Sequence, residues 1–180
     1  MSSDPHPLTL LQQREIEARI VGPIIHAVRD ELGEEKTLAL LRRVISELAR
    51  QSGADLAAQL GAATLEAFSG SLDRWRAGGA LELEMLEQTE ERLSFNVTRC
   101  RYAEMYHTLG LADLGSSLSC QRDFSLVEGF NSTIHLSRTQ TLMEGASCCN
   151  FRFVASPGSE GSDVSNDRET TSELTQDQAL

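Results

Sequence analysis

Apolar residues recur every three to four positions through the first eighty residues, and this spacing predicts helices. In "LTLLQQREIEARIVGPIIHAVRDELG", Leu10, Ile16, Ile20, Ile24, Ile25, Val28 and Leu32 fall near one face of a 3.6-residue period. Pro23 removes a backbone donor inside that run, so a kink or split is expected there, with Gly33 as the stop. "EEKTLALLRRVISELARQSG" repeats the pattern through Leu38, Leu41, Val44, Ile45 and Leu48 and is expected to end at Gly53. A short helix is then expected in "ADLAAQLG". Another follows in "TLEAFSGSLDRWRAGG", where Leu65, Phe68, Leu72 and Trp75 make one stripe before Gly78-Gly79.

The period then changes from 3.6 to 2. "ALELEMLEQT" alternates leucine with glutamate, which describes a strand with one wet face. "RLSFNVTRC" places Leu93, Phe95 and Val97 on one side, and the two runs read as an antiparallel hairpin. "YAEMYHTLGLADLG" reads as a helix and turn, and "SSLSCQRDFSLVEGFN" as helical or irregular. "TIHLSRTQTLMEG" is expected to be a third strand with Arg138 in its middle. "CCNFRFVA" is expected to be a fourth strand, paired with the third across the turn at Glu144 to Ser147. Alternation puts Cys148 and Cys149 on opposite sides of that strand. The fold class is therefore α+β: a helical N-terminal half packed with a small, roughly four-stranded antiparallel sheet containing inserted helices. One domain is expected over 1–155, with helices in 8–78 and the sheet and site region in 80–155. The stretch 156–180 has six acidic residues, one basic residue and little that is apolar, and is expected to be a disordered tail.

Charge narrows the partners. The net charge is −11, with no basic patch, which argues against nucleic acid and anionic membranes. No apolar run approaches the ~20 residues of a membrane span, and the N-terminal stretch lacks a secretory pattern. A cytoplasmic protein with four reduced cysteines is the expectation, and the sequons at Asn96 and Asn131 are then chance. The helical half offers a surface for a homo-oligomer.

Familiar strong motifs are absent: no phosphate-binding glycine loop, no GxSxG, no HExxH and no CxxC. Reactive residue types concentrate instead between residues 100 and 152. Cys100, Cys120 and the Cys148-Cys149 pair each stand at an element boundary, where sites are commonly built. A helix N-terminus after Cys100 would lower its thiol pKa, and Arg122 would favour a thiolate at Cys120. Small buried packing residues are the competing reading for each. A divalent metal on Cys100, Cys120 and Cys149 is conceivable, although nothing in the sequence requires a cofactor. Asn131 and Arg138 suit a carboxylate or ureido group through paired hydrogen bonds, with Arg152 and Tyr106 nearby in sequence.

The run "VTRCRYAEMYHTLGLADLG…LSCQRDFSLVEGFN…IHLSRTQTLMEGASCCNFRF" resembles the L-2-amino-thiazoline-4-carboxylic acid hydrolase family, from about Arg14 to Phe153. The matching positions are Cys100, Tyr102, Glu104, Cys120, Asp123, Asn131, Arg138, Gly145, Cys149, Phe151 and Arg152. The resemblance implies a hydrolase that opens a small heterocyclic or amidine-like carboxylate by adding water across C=N. In that reading Cys120 or Cys149 attacks the ring carbon and Glu104 or Asp123 moves protons. Arg138 and Asn131 hold the carboxylate, with Arg152 and Tyr106 also binding substrate. A pocket that binds a small ligand or a metal without turnover is the alternative. The family motif commonly reads Gly-x-x-His-Cys-Asp-Phe, whereas this chain has Cys148 and Asn150 at the His and Asp positions.

Overall fold

The computed structural model describes residues 8–156, which fold as α+β. The expectation for the tail lies outside the described residues, apart from Ser156.

Helix α1, Leu10–Leu32, begins at a capping box: the Gln12 N–H donates to Thr9 Oγ1 (3.3 Å), and the Thr9 N–H donates to Gln12 Oε1 (2.9 Å). It runs unbroken through Pro23, so the expected split does not occur. Pro23 sits on the exposed side, where water can serve the carbonyl that its missing N–H leaves free.

Helix α2, Glu34–Leu60, also overturns an expectation. It continues through Gly53, absorbs the predicted short helix, and ends at Gly61 in a left-handed cap (φ 67°). Gly53 is a contact point. A Cβ there would lie 2.1 Å from the Leu126 carbonyl oxygen, and a Cβ at Gly129 would lie 2.0 Å from the Arg50 carbonyl oxygen. Two glycines thus let α2 cross closely over α7, Arg122–Phe130, and this crossing fixes the helix that carries Arg122 and Asp123.

Short helices α3 (Leu65–Gly70) and α4 (Leu72–Arg76) lead into strand β1, Leu81–Gln88, and then β2, Arg92–Cys100. Helix α5 (Arg101–Thr108) and the single turn α6 (Ala112–Gly115) precede a π turn at Ser116–Cys120, closed by Gln121 N–H donating to the Ser116 carbonyl (2.9 Å). Strands β3 (Ile134–Ser137) and β4 (Cys149–Ala155) complete the sheet. All neighbours are antiparallel, in the order β1-β2-β4-β3.

The third strand is shorter than expected, because the chain leaves the sheet at Arg138. Asn150 holds the departing loop: its Oδ1 accepts from the N–H groups of Thr139 (3.0 Å) and Gln140 (3.1 Å), and its Nδ2 donates to Thr139 Oγ1 (2.8 Å).

The inner face of the sheet is aromatic. Phe95 stacks on Phe151 at 5.0 Å between ring centroids, and Phe68 packs against Phe153 (5.2 Å) and Phe130 (5.1 Å). A second apolar cluster joins α1 and α2 to Tyr106, Leu114 and Met143. Cys100 packs against both clusters, and Cys120 against the second.

Candidate active site

Where the two clusters meet, a cavity of about 100 Å³ opens between the sheet and the N-terminal turn of α7. Its walls include Cys100, Cys120, Cys149, Asp123 and Arg138, five residues drawn from β2, the π turn, α7, β4 and the loop after β3. That space exceeds the ~10–15 Å³ a single water needs and suits a small ligand. Trp75, Leu81, Val97, Leu126 and Phe151 supply the apolar wall.

The buried anchor is Arg138, whose side chain is 5% exposed. Its Nη1 donates to Asp123 Oδ2 and its Nη2 to the Cys120 carbonyl (2.9 Å). Its guanidinium lies between the rings of Phe124 (5.0 Å) and Phe151 (4.9 Å). These contacts explain why the chain turns inward at Arg138 and ends β3. Its Nε is buried and has no acceptor among the described residues. A buried donor left unpaired costs ~1–3 kcal/mol, so this atom calls for an acceptor from a ligand or a water.

Burial dominates the electrostatics of the walls. It pushes the Cys100 thiol up to about 11, although the Ala103 N–H donates to its sulfur (3.5 Å). It raises Cys120 further, helped by the Asp123 charge and opposed by Arg138. The thiolate-favouring effect expected at Cys100 is present, whereas at Cys120 it comes from Arg138 and not from the expected Arg122; loss of solvent outweighs both. Cys149 is also raised by burial, with the Leu142 N–H (3.2 Å) and Arg138 acting in the opposite direction. Burial pushes the Asp123 carboxyl above its ordinary range, against the pull of Arg138. Tyr102, whose hydroxyl donates to the Trp75 carbonyl (3.3 Å), is pushed up to about 12 by burial.

Two arginines complete the cavity, Arg14 from α1 and Arg122 from α7. Arg14 is held by Glu17 (2.7 Å). Among the described residues Arg122 forms neither an ion pair nor a side-chain hydrogen bond, and burial lowers its pKa. A half-buried guanidinium with open donors is an anion site in waiting. Arg14 lies more than a hundred residues from Arg122 and comes to it through helix packing, which no local motif announces. Arg122 was visible in sequence as a neighbour of Cys120, but not as an unpaired cation.

Four expected site residues lie elsewhere. Glu104 is on the solvent side of α5, bound by Arg99 (2.8 Å), which lowers its carboxyl pKa. Asn131 caps the end of α7: its Nδ2 donates to the Ala63 carbonyl (2.6 Å), and its Oδ1 accepts from Thr133 N–H (2.8 Å). Arg152 points to the opposite side of β4 from Phe151 and donates to the Phe95 carbonyl (2.9 Å) and Asn96 Oδ1 (3.0 Å). Tyr106 is buried in the second cluster and walls a different groove. Cys148, just before β4, accepts from Gln140 Nε2 at its sulfur (3.1 Å), and neither it nor Asn150 lines the cavity.

Among the described residues no three His, Cys, Asp or Glu side chains are grouped so as to hold a metal ion. The three thiols share a cavity without forming a metal cage. No helix among these residues is long and apolar enough to cross a membrane.

No curated protein matches the chain. The chain is similar to a number of solved structures, among them the following two. A trafficking protein particle complex subunit 3 from Naegleria fowleri, covalently bound to palmitic acid, is 9% identical over 81% of this chain and 96% of that one, with a TM-score of 0.49. The phenol-responsive sensory domain of the transcription activator PoxR, with phenol, is 15% identical over 81% of this chain and 76% of that one, with a TM-score of 0.45. Neither likeness bears on the chemistry of the cavity. The family model described as L-2-amino-thiazoline-4-carboxylic acid hydrolase matches residues 13–153, and the chain belongs to that family.

Proposed function

We propose that this member of the family opens the ring of a small heterocyclic or amidine-like carboxylate by adding water at a C=N carbon, with Cys149 as nucleophile. One observation carries the reading: three thiols, a carboxyl and three guanidinium groups wall a single small cavity. Arg122, with its donors open, takes the substrate carboxylate as a two-point pair. Cys149 is preferred over Cys120 because a backbone N–H points at its sulfur and because the Asp123 charge, which raises both thiols, is the second-largest cause at Cys120 and a smaller one at Cys149.

The steps balance as follows. The Cys149 thiolate adds to the C=N carbon, and the nitrogen takes a proton from water by way of Asp123. A carboxyl raised toward neutrality is suited to such transfers. Collapse of the adduct breaks the bond from that carbon to the ring heteroatom, which departs with the proton the nitrogen gives back. Water then adds to the same carbon. As C=O forms, the C–S bond breaks to release the thiolate, and the hydroxyl proton returns to water. Arg138 Nε is available to the substrate or the attacking water. Each step uses only these side chains, the substrate and water.

The test is turnover of 2-aminothiazoline-4-carboxylate by the wild type and by Cys149→Ala and Cys120→Ala. Loss of at least ~10³-fold in Cys149→Ala is expected. Near-wild-type turnover in both variants overturns the thiol reading. The pH profile gives a second check. The thiolate is the attacking form, and burial raises the pKa of Cys149, so kcat/KM should climb with pH through the ordinary thiol value of ~8.5 and beyond. A flat or falling profile there contradicts it.

Ligand capture without turnover has one observation in its favour: burial raises all three thiols, so thiolate is scarce at neutral pH. Saturable binding of the same compound, with no product formed across that alkaline range, would mark this second reading.

A further inference from the structure

Helix α1 is apolar on two opposite sides. Ala18, Gly22 and Ile25 face the core, while Ile16, Ile20 and Ile24 are 49%, 61% and 56% exposed. Residues four apart form a ridge on a helix surface, and this ridge runs Ile16, Ile20, Ile24, Val28, Leu32, with Leu32 51% exposed. Around its middle, Ile20 to Val28 hold no Asp, Glu, Lys or Arg, in a chain that is 24% charged. β-Branched residues on a solvent-facing helix surface improve neither helix propensity nor solubility, so their presence calls for a contact.

Helix α2 carries a parallel feature. Leu40, Val44 and Leu48, again four apart, are 41%, 46% and 54% exposed. Between the helices runs a groove of about 460 Å³, to which α1 gives Val21 and α2 gives Ile45 and Leu48, with Arg14, Glu17 and Arg122 as charged walls. Val28 follows Val21 by seven residues and so lies on the same side of α1, beside that groove.

We propose that this surface is the two-fold contact of a homodimer, with the α1 ridge of one copy set against the α1 ridge and groove of the other. Self-complementarity favours a second copy of this chain. The ridge is symmetric about Ile24, so an antiparallel crossing sets Ile24 against Ile24 of the partner subunit. The same crossing sets Ile20 against Val28 of the partner subunit and Ile16 against Leu32 of the partner subunit, as an isologous contact requires. The area agrees. The exposed leucines, isoleucines and valine of the two rows present roughly 600 Å² of side chain, at the top of what monomers leave open. Doubled, that is ~1,200 Å², enough for a specific interface.

The test is sedimentation of the full 180-residue chain. The wild type is expected at twice its 19.7 kDa mass. Ile24→Glu and Ile24→Lys are each expected to weaken association by ~10²-fold or more with unchanged helical circular dichroism, since the position is already solvent-facing. Mixing the two variants should restore the dimer, because opposite charges then meet across the axis. A wild type at single-chain mass up to tens of micromolar overturns the proposal, even where another protein or a lipid vesicle covers the ridge. Dimers unaffected by either substitution, or a mixture that stays monomeric, also overturn it.

Discussion

The two sides of β4 are built from alternate residues of one short strand, and they do different work. On the inner side Cys149, Phe151 and Phe153 are 6%, 7% and 1% exposed and contribute the cavity wall and the aromatic core. On the outer side Asn150 and Arg152 spend their polar groups on backbone and side-chain partners that hold the β3–β4 loop and the neighbouring β2. Chemistry and bracing are separated by a step of one residue. Both departures from the family motif, Cys148 and Asn150, fall outside the cavity wall. Their side chains instead hold the loop that follows Arg138, through Thr139 and Gln140.

Substitutions can break or sharpen that contrast. The largest structural effect is expected from Phe153→Ala, at ~3–5 kcal/mol of unfolding free energy measured by denaturant titration, because the ring is fully enclosed by Phe68 and Phe95. Asn150→Ala should cost less, ~1–2 kcal/mol, by freeing the N–H groups of Thr139 and Gln140 at a partly solvated site. Its mark on turnover should be a raised KM, as the loop after Arg138 loosens. Asn150→Asp keeps both acceptor bonds and should fall between that variant and the wild type. Cys148→Ala should change stability by no more than ~0.5 kcal/mol and leave turnover intact, since its sulfur only receives Gln140. Equal losses of turnover on the two sides of the strand would dissolve the distinction.

The β1–β2 hairpin and the pairing of β3 with β4 were readable because two-residue alternation leaves few ways to bury leucine and phenylalanine while wetting glutamate. Gly53 shows what local reading cannot separate. A glycine that ends a helix and a glycine that admits a crossing helix look alike until the partner is known, and here the partner is Gly129, seventy-six positions later. Arg138 was readable as an awkward mid-strand cation but not as the residue that ends the strand. Its partners Asp123 and the Cys120 carbonyl come from another element. The thiols and Asp123 could be nominated from residue type. Glu104, Asn131, Arg152 and Tyr106 could be nominated in the same way, and the fold turned each of them to capping, bracing or packing. Arg14 reaches the cavity through the packing of α1 against α2 and α5, which the local sequence does not encode.

The proposed mechanism makes Cys149, on the inner side of β4, the residue that bonds to the substrate. Its most direct test is rapid quenching during turnover of 2-aminothiazoline-4-carboxylate, followed by digestion and mass mapping of the peptide that spans Cys148 and Cys149. A substrate-derived mass is expected on Cys149, retained in Cys148→Ser and missing from Cys149→Ser, which should also be inactive. A label on Cys148 or Cys120, or undiminished turnover by Cys149→Ser, would contradict it.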